Sequence, residues 1–253
     1  MLDALYISAI GLQAQKEQLD ATANNLANLT TPAFKRQSVD FSAILDRSPV
    51  PSAADAAAAG DTRPNRLQRF DLKPGEVHAT GRPLDLAIVG AGFLQVELPD
   101  GKTGYSRGGS LHINADGGLS LAGGQALKAD VRIPGGASNV QILQDGSVTA
   151  VLPNEANPTV LGQIDLATFT NAEALDYRGD GIFTAPDGME PTLVRAGEEN
   201  TQPFAAQSLE GSNVNMTDEM VSLMLMQRVY ELNSRVAQVA DELMGMSNGM
   251  VRT

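Results

Sequence analysis

The chain of 253 residues contains no cysteine. Disulfides, thiolate metal sites and cysteine nucleophiles are therefore excluded. Tryptophan is absent and aromatics make up only 4%, so Leu, Val, Ile and Ala must supply the core. Histidine is confined to His78 and His112, and neither falls in a metal-ligand spacing such as H-x-x-x-H. No run of 18 apolar residues occurs, so no segment is expected to span a membrane as a helix. The N-terminus lacks the basic region, apolar stretch and small-residue cleavage site of a secretory signal. The chain is thus expected to stay in the cytoplasm or to leave by a route that reads no cleaved signal. Basic residues are outnumbered, giving a formal net charge of −12, with most of the excess acid in the middle of the chain. That argues against a general nucleic-acid surface, which needs a basic face. It reads instead as a solvated exterior that aids solubility.

What is present is organised around the two ends. Hydrophobic content is 42%, enough for a core. Leu5, Leu12, Leu19 and Leu26 recur at intervals of seven, and Leu2, Ala9, Lys16 and Ala23 recur three residues earlier. This a/d seam predicts a helix over 3–28, broken only by Lys16. Thr31-Pro32 stops it, because the residue before proline avoids the α region. In the tail, Leu225, Val229, Leu232, Val236, Val239, Leu243, Met246 and Met250 alternate steps of four and three. Beside them runs a second apolar stripe of Met216, Met220, Leu223, Met224, Tyr230 and Ala237. A helix with two stripes needs neighbours on more than one side. Asn213, Asn215 or Thr217 is expected to cap it, with Asp218 and Glu219 at its positive end. Terminal helices often pack only on their own domain. Here the segment between offers no helices to cover them, so the ends are expected to pair with each other and with copies of the chain.

Between the ends, residues 46–66 carry three prolines and an Ala run with no periodic apolar set, and read as a mobile linker. From Phe70 to about Gln207 the pattern is β. Leu84–Val89, Phe93–Leu98, Leu111–Ile113, Leu119–Leu121, Val131–Ile133, Val140–Leu143, Val148–Leu152 and Val160–Phe169 are expected strands. Turns such as Pro99-Asp100-Gly101-Lys102 and Asp145-Gly146 separate them. This predicts an antiparallel sandwich or open barrel, with 186–211 less regular. The fold class is α+β: discontinuous terminal heptad helices forming a coiled-coil-like α domain (1–45 with 208–253), a linker over 46–70, and a β-rich domain over 71–207.

Several motifs suggest chemistry and fail on context. Gly90-Ala91-Gly92-Phe93 begins like a dinucleotide fingerprint but lacks the third glycine and the helix, and reads as a turn. Gly245-Met246-Ser247-Asn248-Gly249 spells a nucleophile elbow, yet a helix precedes it and only four residues follow. Arg178-Gly179-Asp180 reads as a polar turn rather than an adhesion tripeptide. Acidic pairs such as Asp218-Glu219, Asp241-Glu242 and Glu198-Glu199 are adjacent in sequence, and neighbours on a helix do not share a face. No catalytic, cofactor or metal site is expected.

The stretches Ser8-Ala9-Ile10-Gly11-Leu12-Gln13-Ala14-Gln15, Ala23-Asn24-Asn25-Leu26-Ala27-Asn28 and Thr31-Pro32-Ala33-Phe34-Lys35-Arg36 resemble the N-terminal signature of bacterial flagellar rod and hook proteins. Leu209-Glu210-Gly211-Ser212-Asn213-Val214-Asn215 and Gln227-Arg228-Val229-Tyr230-Glu231-Leu232 resemble their C-terminal signature. Arg82–Ile88, Gly90–Phe93 and Tyr105–Ser110 match between. The signature residues are Asn24, Asn25, Asn28, Phe34, Ser212, Asn213, Val214, Gln227, Arg228, Tyr230 and Glu231. Ala33 stands where the family usually has glycine. Length and middle segment look most like the distal rod subunit, with the proximal rod subunit as the alternative.

The resemblance implies an assembly subunit whose terminal helices form an inner α tube, with the β domain outside, in a hollow shaft transmitting torque to the hook. Implied partners are copies of itself, neighbouring rod and hook subunits, the bushing rings and the flagellar type III export apparatus. The implied place is the basal body, across the periplasm, reached without a cleaved signal. No cofactor is implied. The expected interface is Leu2, Leu5, Leu12, Leu19, Leu26, Met220, Leu223, Leu225, Val229, Leu232, Val236, Val239 and Leu243. The competing reading is a soluble binding module whose β domain holds a ligand and whose helices only dimerise it.

Overall fold

The computed structural model describes residues 2–39, 68–153, 157–195 and 204–250. Among these are two long helices and many antiparallel strands, an α+β chain with a β-rich middle. It divides into two compact units. The first comprises Met1–Ala27, Gln37–Phe70 and Asn215–Thr253, and the second Asn28–Arg36 and Asp71–Val214. The linker at 46–66 lies outside the described residues.

The helical unit holds α1 (Leu2–Ala27) and α2 (Met216–Met250). It also holds a strand pair, β1 (Gln37–Val39) with β2 (Gln68–Phe70). Of the three candidate caps, Asn215 fills the role. Its Oδ1 accepts the Thr217 N–H at 2.9 Å and its carbonyl accepts Glu219 N–H, satisfying donors that the first turn leaves free.

The β unit contains β3 (Val77–Ala79), β4 (Asp85–Ile88), β5 (Leu94–Glu97), β6 (Thr103–Ser106), β7 (Gly108–Ile113), β8 (Leu119–Leu121) and β9 (Ala126–Leu127). After these come β10 (Ser138–Ile142), β11 (Ser147–Val151), β12 (Pro158–Gln163), β13 (Asp165–Thr168) and β14 (Asp176–Gly179). The last are β15 (Ile182–Thr184), β16 (Thr192–Arg195), β17 (Phe204–Ala206) and β18 (Ser208–Glu210). Nine of them form one antiparallel sheet in the order β14-β15-β6-β5-β9-β8-β7-β4-β17. Smaller sheets are β10-β11-β12, β13-β16 and β18-β3. Leu86, Ile88, Leu94, Val96 and Leu111 of the large sheet share one core with Ile142, Val148, Ile164 and Leu166.

Three expectations about the β region change. Val131–Ile133 is no strand, although Val131 and Ile133 are buried in the core. Ile133 donates its N–H to Gly117 O at 2.8 Å instead of joining a ladder. Its apolar residues had marked this segment, and burying them does not require strand pairing. Val160–Phe169 is two strands, because Ile164 N–H turns to Gly146 O and splits the run. The irregular stretch 186–211 carries β16, β17 and β18, whose polar and small residues hide the period of two. The scarce aromatics also gather: Phe93 packs edge-on to Phe169 and Phe183, and Tyr105 to Phe169.

The motifs without context behave as turns or helix. Gly90–Phe93 leads from β4 into β5 with no helix. Arg178 and Gly179 end β14, with Asp180 and Gly181 making the turn into β15 at positive φ. Residues 245–249 lie within α2. His112 and His78 are both exposed on strands.

Candidate assembly surface

The two helices run antiparallel, since Asn25 of α1 meets Glu219 of α2 while Gln15 meets Met226 and Asn233. The residues they bury against each other lie beside the leucine seams. Among the described side chains of α1 the buried positions are Ala14, Ala21, Thr22 and Asn25. On α2 they are Glu219 and Met226, seven apart, with half-buried Asn233 seven further on. Ala14 lies two residues past Leu12, about 200° round the helix. Met226 lies one past Leu225, about 100° round. Small side chains on α1 let the backbones approach. At that distance Gln15 Nε2 donates to the Met226 carbonyl at 2.7 Å, and Asn233 Nδ2 donates to Gln15 Oε1 at 3.2 Å.

Asn25 fixes the end of this contact. Its Nδ2 donates to Gln37 O at 2.9 Å and its Oδ1 accepts Gln37 N–H at 2.8 Å, as a neighbouring strand would. The same amide reaches Glu219 Oε2 at 3.2 Å. One buried side chain thus ties α1, β1 and α2 together, and Glu219 is fully buried beside it.

The leucine and valine stripe of α2 faces outward. Leu225, Val229, Leu232, Val236 and Val239 are 47–59% exposed. Leu19 and Met220 are exposed, and Leu12, Leu26 and Leu223 half-buried. The side chains of Leu2, Leu5 and Leu243 lie outside those described. Leu12, Lys16 and Leu19 face Met226, Gln227, Tyr230 and Glu231 across an open groove of about 560 Å³. Arg228 sits on the adjoining face of α2 with Met224, Leu232 and Arg235. Exposed apolar residues recurring along three turns and more of a helix make a contiguous strip, and such strips mark interaction surfaces. Among the described residues no group of three or more His, Cys, Asp or Glu is placed to hold a metal.

The remaining signature residues serve other ends. Asn24 is exposed, and Asn28 accepts the Thr31 hydroxyl through Oδ1 at 3.1 Å. In the β unit Phe34 and Val214 are buried, and Ser212 Oγ accepts Val214 N–H at 3.3 Å. Asn213 Oδ1 accepts Arg36 N–H at 2.7 Å, while its Nδ2 donates to Asp71 O at 2.7 Å. Sequence reasoning missed Lys35, Arg107 and Glu210, all buried charges. Lys35 pairs with Glu210 Oε1, and Arg107 Nη2 lies 3.1 Å from Glu210 Oε2. Burial pushes the Lys35 ammonium below its ordinary pKa, against the pull of Glu210. All three lie in the stretches that carry the family resemblance, but charged residues are seldom buried unless paired, and three charges scattered through an apolar pattern give no periodic signal.

Three family profiles match the chain. One described as Flagella basal body rod protein covers residues 5–35. Flagellar hook protein FlgE/F/G D1 domain covers 87–150, and Flagellar basal body rod FlgEFG protein C-terminal covers 205–250. The chain is similar to the Flagellar basal-body rod protein FlgG of Agrobacterium fabrum, 35% identical over 252 residues, 95% of this chain and 96% of that one. It is 30% identical to FlgG of Borreliella burgdorferi over 266 residues and the whole of both chains. To the Flagellar basal-body rod protein FlgF of Escherichia coli it is 30% identical over 262 residues, 99% of each.

Proposed function

Because this chain belongs to the flagellar basal-body rod protein family, as a structural subunit of the rod, we propose that it polymerises through the outward stripes of its two helices. The observation that carries this is the division of labour on α2. One face is sealed against α1 through Glu219, Met226 and Asn233, while the 225-229-232-236-239 line stays about half exposed among the described residues. Neighbouring copies supply that cover, packing the stripes as a coiled coil into an inner α tube, with the β units outside. The contacts are head-to-tail and do not close, so they build a helical shaft rather than a ring. The shaft transmits torque to the hook.

The greater likeness to FlgG than to FlgF supports the distal part of the rod. From there the partners are other rod subunits, the hook, the surrounding bushing rings and the type III export apparatus that delivers the chain across the periplasmic space. The interface is Leu2, Leu5, Leu12, Leu19, Leu26, Met220, Leu223, Leu225, Val229, Leu232, Val236, Val239 and Leu243. Electron microscopy of basal bodies carrying a labelled subunit tests the reading. Label along the shaft next to the hook is expected; label absent from the shaft contradicts it.

A further inference from the structure

The β unit is entered and left by the chain at four peptide links, 27/28, 36/37, 70/71 and 214/215. Two of the boundary residues on its side, Arg36 and Asp71, are bonded to each other and to Asn213, the neighbour of a third, Val214. Asp71 N–H donates to Arg36 O at 2.9 Å, Arg36 N–H to Asn213 Oδ1 at 2.7 Å, and Asn213 Nδ2 to Asp71 O at 2.7 Å. Beneath them lies Glu210. Its carboxylate accepts from Lys35 Nζ, from Gly75 N–H at 2.8 Å and from Arg107 Nε at 3.2 Å. Its carbonyl accepts Ala33 N–H at 2.7 Å. Lys35 Nζ also donates to Lys73 O at 2.8 Å, and Arg107 donates to Gly92 O at 2.6 Å and Ile88 O at 3.2 Å. Gly75 runs so close to Gly211 that a Cβ would meet the Gly211 carbonyl at 2.2 Å, so only glycine fits that crossing.

We propose that Glu210 is the hub of a preformed anchor, in which residues 28–36, 71–76 and 207–214 are fixed to one another and to the large sheet before the subunit meets any other. The segments lack regular ladders apart from β18 with β3, so something else must hold them. A carboxylate satisfied by two cations and a backbone amide supplies charge-assisted bonds from all three segments at one point. Arg107 extends the hub into the sheet through β4 and the 90–93 turn. Buried ion pairs contribute little net stability but are costly to break singly, which suits a device that fixes geometry. Any force passed along the chain between the units crosses the four links that this anchor holds. The inference goes beyond the assembly role and does not need it: the anchor is a property of the free subunit.

Amide hydrogen exchange on the full-length chain in dilute solution tests it. The Ala33, Asp71, Gly75 and Gly211 amides are expected to be as protected as those of β4 and β7. Glu210→Gln is expected to speed exchange at these four by about ten- to a hundredfold, the worth of a bond to a charged group, and to leave β4 and β7 unchanged. Unchanged rates at the four, or equal acceleration across β4 and β7, overturn the proposal. Should Glu210→Gln fail to fold, Asn213→Ala leaves every buried charge in place and decides the matter. It is expected to speed the Arg36 amide at least about tenfold, and an unaltered Arg36 rate overturns the anchor. Because the readout is the free subunit, its failure leaves the rod assignment standing, and a failure to polymerise leaves the anchor standing.

Discussion

Leu232→Asp separates what the helix does for its own chain from what it does for its neighbours. Leu232 is 59% exposed in the subunit, so the substitution removes little intrachain packing. The cost to the free chain is the poorer helix propensity of Asp, about 0.5 kcal/mol, within the range of surface changes. In the polymer the account differs. Full burial of a leucine contributes about 1.5–3 kcal/mol, and the share still exposed in the subunit corresponds to about 1–2 kcal/mol. Placing an unpaired carboxylate in a dry contact costs several kcal/mol more. A loss of about 3 kcal/mol or more per contact raises the concentration needed for assembly by about two orders of magnitude. Urea titration by circular dichroism reads the first quantity, and sedimentation against subunit concentration the second. Met226→Ala is the control. Met226 is buried against α1, so its truncation is expected to destabilise the free subunit by about 2 kcal/mol or more. Normal assembly of Leu232→Asp, or destabilisation of its free subunit as large as that of Met226→Ala, would refute the reasoning.

Leu19→Asp and Val236→Asp are expected to abolish motility while leaving the β unit folded; normal swimming by either strain would contradict the interface. Asn25→Ala removes both bonds to Gln37 and one to Glu219. A loss of about 2–3 kcal/mol confined to the helical unit is expected in denaturant unfolding, whereas a change within about 0.5 kcal/mol would show the bridge to be idle. Ala33 holds a left-handed φ of 57°, which costs an L residue about 1–2 kcal/mol. Ala33→Gly relieves this at a smaller entropic cost, so a net gain of about 0.5–1 kcal/mol is expected, and a loss would mean the methyl packs usefully. In alkali two buried groups act in opposite directions. Lys35, lowered by burial below 10.5, binds fewer protons folded than unfolded, so its contribution to stability rises with pH through that window up to 10.5. Tyr105, raised by burial above 10.0, keeps its proton longer when folded, so its contribution falls as pH climbs from 10.0. Unfolding free energies from pH 8 to 11 are expected to lose the rise in Lys35→Met and the fall in Tyr105→Phe.

The helices were legible because seven-residue spacing needs only Leu5, Leu12, Leu19 and Leu26 to announce it. What the spacing did not reveal was which face the chain keeps for itself. Ala14, Ala21, Thr22 and Asn25 carry weak hydrophobic weight, yet they form the contact within the chain because small residues allow approach and the amides find partners. The leucine and valine stripe of α2, the louder signal, is left facing out. In the β region the apolar runs found β5, β7, β8 and β11. β6 (Thr103–Ser106) escaped, being held by Gly104 and Tyr105 in a ladder whose side chains look like a turn. Ala33 was legible only as a departure from a family habit of glycine, and its positive φ supplies the physical cause of that habit. The Lys35–Glu210–Arg107 cluster could not be read at all. Its members stand 72 and 103 or more residues apart along the chain, and nothing local distinguishes them from solvated charges.

The chain's lack of cysteine permits the most direct test of outward-facing stripes that polymerisation covers. With single cysteines at positions 232 and 226, maleimide labelling is compared between dilute subunits and assembled rods. Leu232→Cys is expected to label fast when free and slowly once assembled, and Met226→Cys slowly in both. Equal, rapid labelling of Leu232→Cys in both states would contradict the account.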